Sequence, residues 1–115
     1  MKKFTLIINK NFNNKDREIF FVKKELQVIF NLYSKMVSNG TWRDYSLSSD
    51  KKEISFDVYK KTSDKPILRI AKNLCPKYLN EKFLIKDKNG KIIKKSENLK
   101  LLIRKTSWGN LKIIK

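Results

Sequence analysis

The chain has no histidine, one cysteine (Cys75), two prolines, three glycines and four arginines in 115 residues. Each scarcity closes a route. Without histidine there is no Ser-His-Asp or Cys-His nucleophile and no imidazole metal ligand. A lone cysteine makes no internal disulfide, which fits a reducing cytoplasm. With no usual general base to activate it, Cys75 is expected to be a buried or inert thiol. The glycines stand alone at positions 40, 90 and 109, so no glycine-rich loop cradles phosphate. No apolar run approaches the roughly 18–20 residues of a membrane span. Met1-Lys2-Lys3 before Phe4–Ile8 looks like the start of a signal peptide. That apolar run stops well short of a secretory core of about 7–15 residues and reads better as a strand. Carboxylates are scarce as well, with 11 acids against 28 bases. Asp50, Glu53, Asp57 and Asp64 lack the spacing of a calcium loop. Glu53 and Asp57, four apart on a strand, lie about 13 Å from each other, too far to flank one scissile bond. The expectation is a non-catalytic chain with no cofactor and no metal.

The chain does hold enough apolar material for a core. It is 40% hydrophobic and 11% aromatic, which excludes global disorder, and its length suits one domain over residues 1–115. Residues 4–8 and 18–22 read as strands, with the Asn-rich lead-in between them placed in an N-terminal segment 1–17. A longer helix starting near Asn14 or Asp16 is the other reading of 18–22. Leu26, Ile29, Phe30, Tyr33, Met36 and Val37 recur at helical spacing, and Gly40 sits at a C-terminal capping position. The period then changes to two. Residues 42–47, 53–60 and 66–71 read as strands joined by turns at 49–51 and 62–65. Ile54, Phe56 and Val58 alternate with Glu53, Ser55, Asp57 and Tyr59, giving one buried and one wetter face. Asn89-Gly90 between apolar runs 82–86 and 91–94 signals a hairpin. Ser96 then caps a short helix carrying Leu99, Leu102 and Ile103. Residues 107–115 form a basic and apolar tail. The predicted fold is α+β: a main amphipathic helix packed on an antiparallel β-meander sheet, with a short C-terminal helix.

The helix Leu26–Val37, then Gly40-Thr41-Trp42-Arg43-Asp44-Tyr45, Val58-Tyr59-Lys60-Lys61 and Pro66-Ile67-Leu68-Arg69-Ile70 follow one another in an order that resembles the alphaproteobacterial family known as domain of unknown function 2794. The resemblance covers about residues 19–106, within a core domain drawn at 18–106. It implies a small single domain with no established activity and brings no catalytic or ligand residue with it. The chain departs from the family pattern at the helix start, where Val22-Lys23-Lys24 stands in place of an N-cap Asp. It is also richer in Lys than in Arg.

The charge is the main functional signal. The formal net charge is +17, which suggests nucleic acid, an anionic membrane or an acidic protein as partner. Lys, Asn and Ile supply 48 of the 115 residues, and all three have A/T-rich codons, so genome composition is a competing cause of the Lys excess. The excess is uneven: residues 71–115 carry +10 and residues 41–70 only +2. Two binding readings follow. In the first, Lys86, Lys88, Lys91, Lys94, Lys95, Arg104 and Lys105 contact nucleic-acid phosphates, RNA above all. In the second, Trp42, Arg43, Tyr45, Tyr59 and Arg69 form a protein-interaction surface, with Arg43, Tyr45, Tyr59 and Arg69 on one sheet face. Against the second stands a structural role, with Trp42 packed on the helix and Arg69 or Arg43 paired to Asp57 or Asp44. The oligomeric state is left open.

Overall fold

A computed structural model describes residues 20–60, 65–106 and 108. The expected strand 4–8, the turn residues 62–64 and most of the tail lie outside the described residues. Helix α1 spans Lys23–Ser38 and buries Leu26, Ile29, Leu32 and Met36 at three- and four-residue spacing. Val22 occupies the N-cap position without a side-chain acceptor. The Glu25 carboxylate does the capping instead, accepting the Val22 N–H at 2.8 Å. The same oxygen accepts Lys72 Nζ at 3.0 Å, and Lys72 also donates to the Phe20 carbonyl at 2.9 Å.

This clamp explains a correction. Residues 20–22 are neither strand nor helix. Phe20 gives its carbonyl to a lysine instead of to a neighbouring strand, and Phe21 enters the core edge-on to Phe20. At the other end Gly40 adopts φ +81°, a left-handed conformation open to glycine without strain. The chain reverses there, and the Thr41 and Trp42 N–H groups both return to the Met36 carbonyl.

Five strands follow in simple meander order, all antiparallel: β1 (Asp44–Ser49), β2 (Glu53–Tyr59), β3 (Leu68–Asn73), β4 (Phe83–Asp87) and β5 (Ile92–Ser96). A 3₁₀ turn, Leu79–Glu81, precedes β4. Helix α2 covers Leu99–Lys105. The predicted α+β arrangement is the one observed. Ile54, Phe56, Val58, Leu68, Ile70, Phe83 and Ile85 share a core with the buried stripe of α1 and with Leu99 and Leu102 of α2. Fully burying side chains of this size contributes about 1.5–3 kcal/mol each.

The opposite face of β2 differs from expectation. Ser55 and Asp57 are buried, not wet. Asp57 accepts the Ser48 and Ser55 hydroxyls, each at 2.6 Å, and lies 3.6 Å from Arg69 Nε. A carboxylate on an interior strand is tolerated because these partners replace its water.

The Asn89-Gly90 hairpin forms as read. Gly90 has φ +85°, and Asp87 Oδ1 accepts the Asn89 and Lys91 N–H groups, each at 2.9 Å. The cap of α2 lies two residues beyond Ser96. Asn98 Oδ1 accepts the Leu101 N–H at 2.9 Å, while Ser96 ends β5 and takes the Asn98 N–H at 3.1 Å. An amide acceptor at Asn98 reaches the orphan donor that a hydroxyl at position 96 cannot.

Candidate functional site

The structure divides the four residues expected on one sheet face: Tyr59 and Arg69 share a face, and Tyr45 lies on the other. In the β1–β2 register Tyr45 faces Val58 and Asp44 faces Tyr59. Directly opposed residues share a face, so Tyr45 lies on the helix side and Tyr59 on the other. Tyr45 stacks on Phe56 at 4.6 Å between ring centroids and meets Tyr33 and Phe30 edge-on. Burial, with Asp44 nearby, raises the phenol pKa of Tyr45 and of Tyr33. Tyr59 bonds the Ser46 hydroxyl at 2.9 Å, and Arg69 lies beside Asp57. Trp42 is buried, edge-on to Trp108. Arg43 has an exposed side chain.

The physical reason is register. Asp50 fixes the β1–β2 turn, its carboxylate accepting the Lys52 and Glu53 N–H groups at 2.7 and 2.9 Å. These bonds hold the Asp50 carboxyl below its ordinary pKa. A slip of one residue would have put Tyr45 opposite Tyr59; the turn as built does not.

The basic region behaves differently. Lys86 is consumed by Glu53, at 2.8 and 3.0 Å, and Lys95 lies 3.5 Å from Glu81. Lys88, Lys91, Lys94, Arg104 and Lys105 are exposed and have no carboxylate partner among the described residues, and Lys100 joins them. Lys88 and Lys91 sit on the β4–β5 hairpin, Lys94 on the edge strand β5, and the other three on α2. Strand β5 runs away from the hairpin. Helix α2 then turns back alongside α1, its start near Glu25 and Phe83 and its end near Lys35 and Met36. The chain therefore returns Arg104 and Lys105 toward the end of the sheet that carries the hairpin.

The carboxylates have partners of their own. Among the described residues every carboxylate but Glu97 is engaged: Glu25, Glu53, Asp57 and Glu81 by cations, Asp44, Asp50 and Asp87 by backbone N–H groups.

One residue outside the predicted set belongs here. Tyr78 is 61% exposed, with Lys77 Nζ 5.8 Å from its ring centre, on the turn that packs beside β5. The only sequence signal was a tyrosine in a polar connection after Pro76. Cys75, expected to be a buried or inert thiol, is exposed; its N–H is held by Asn73 in a tight turn that keeps the side chain at the surface. No group of three metal-binding side chains occurs among the described residues, and none of their helices is long and apolar enough to cross a membrane.

A family model described as Protein of unknown function (DUF2794) matches residues 19–103. No curated protein and no solved structure matches the chain.

Proposed function

This chain belongs to the DUF2794 family of proteins of unknown function, and we propose that it is a small, basic, non-catalytic binding domain that grips the phosphate backbone of nucleic acid, RNA above all. The observation that carries this reading is the run Lys88, Lys91, Lys94, Lys100, Arg104 and Lys105. These cations lack carboxylate partners among the described residues and follow one another along a hairpin, an edge strand and a helix. A track of separated cations suits a phosphate backbone better than a single anion, which needs converging donors. Exposed Tyr78 beside β5 supports a single-stranded ligand, because an unpaired base can stack on it.

Fluorescence anisotropy with a labelled single-stranded RNA of about 15 nucleotides tests the proposal. Six phosphate contacts to a single strand give a log–log salt slope near −4, so affinity falls roughly 300-fold between 50 and 200 mM salt. Absence of binding at 50 mM salt overturns it.

A further inference from the structure

Helices α1 and α2 leave an open groove of about 490 Å³ between them. Val28, Leu32 and Met36 of α1 line one wall, and Ile103 and Trp108 line the other. Trp108 donates its indole N–H to the Ile103 carbonyl at 2.9 Å and stands edge-on to buried Trp42. Its ring is thereby fixed, and its polar atom is already satisfied. Lys35, Lys100 and Arg104 border the same groove. A second groove shares Val28 and Lys100 with the first and extends it to Lys24. From Lys24 to Met36 the combined lining follows α1 for about 18 Å at 1.5 Å per residue, or some three helical turns.

We infer that this groove docks an amphipathic, acidic helical peptide segment of a partner protein, apolar side chains down and carboxylates toward Lys24, Lys35, Lys100 and Arg104. Two features select that occupant. The floor is apolar, and among the described residues Asn31 is the one uncharged polar side chain lining the first groove. It therefore rewards Leu-like side chains at helical spacing and offers nothing to the polar edges of bases. The border is cationic in balance, with Lys24, Lys35, Lys100 and Arg104 against Glu97 of the second groove and with Glu25 already bound by Val22 and Lys72, so charge complementarity calls for acids on the peptide. The site shares Lys100 and Arg104 with the proposed phosphate track but lies apart from Lys88, Lys91 and Lys94, and it stands whether or not RNA binds there.

The test is a titration of the ¹⁵N-labelled full chain with a synthetic 14-residue peptide. The peptide places Leu along one helical face and Glu on its flanks. Saturable movement of the Trp108 indole N–H resonance is expected, with little change at Trp42. Val28→Glu should weaken the peptide at least tenfold, and RNA far less, because Lys88, Lys91 and Lys94 lie outside the groove. Lys35→Glu alters an exposed side chain and should weaken the peptide severalfold, which keeps the test decisive if V28E does not fold. A same-charge peptide with Ser in place of Leu should not bind. Equal binding of the Leu and Ser peptides overturns the inference, as does indifference to both substitutions. So does a Trp108 resonance that moves with protein concentration alone, which would mark a second copy as the occupant. A loss of RNA affinity in V28E as large as the loss of peptide affinity would assign the groove to nucleic acid and overturn it too.

Discussion

Asp57 shows how much a single residue depends on its neighbours. Its carboxylate is held by Ser48, Ser55 and Arg69 on a face that alternation alone marks as wet. Removing it leaves two hydroxyls and a guanidinium without their acceptor. Asp57→Ala should cost about 2–4 kcal/mol of stability, and Asp57→Asn less, because the amide oxygen still accepts one hydroxyl. Urea unfolding of the two variants checks both the size and the order. Tyr78 gives a residue-scale test of function. Tyr78→Ala should weaken single-stranded RNA by about 1 kcal/mol or more through lost stacking, with the salt slope unchanged because no cation is removed. The pairing of Arg69 with Asp57 was legible in the sequence; the burial of Asp57 and the exposure of Tyr78 were not. Burial of Asp57 follows from which strands flank β2, and exposure of Tyr78 from how the loop before β4 lies.

At the scale of elements, the sequence carried more. The α1 stripe and the Asn89-Gly90 turn are each set by local chemistry, and each formed; β2 formed as a strand, but with both its faces buried. Register is not local, which is why the shared face of Arg43, Tyr45, Tyr59 and Arg69 did not form. The entry to α1 was misread for a similar reason, since Lys72 on β3 decides what Phe20 and Phe21 do. Two tests belong here. Gly90→Ala meets no atom within 4 Å, so its cost is conformational alone, about 1–2 kcal/mol. A denaturation midpoint should show this loss, and the basic side chains stay in place. The second concerns the aromatic layer between α1 and β1–β2. Tyr33 and Tyr45 have raised pKa values in the fold, so the unfolded chain loses these protons first as pH rises past their ordinary 10.0. The folded state then binds more protons than the unfolded one, and stability falls with rising pH up through the raised values. Unfolding midpoints from pH 8 to 11.5 should fall less steeply in the Tyr33→Phe, Tyr45→Phe double variant than in the parent chain.

For the molecule as a whole, the question is whether a charge of +17 belongs to a binding surface or to codon usage. The fold sharpens it by leaving cations in line on the hairpin, β5 and α2. Codon usage would make every exposed lysine equivalent; a binding surface would not. The decisive measurement is the salt dependence of single-stranded RNA binding in two variants of equal charge change. One replaces Lys88, Lys91 and Lys94 with Gln, and the other replaces the exposed Lys23, Lys51 and Lys52. The first should lower the log–log slope by about 2, at roughly 0.7 per phosphate contact, while the second leaves the slope where it was. An equal loss in both variants would contradict the account, because the charge would then act without a site.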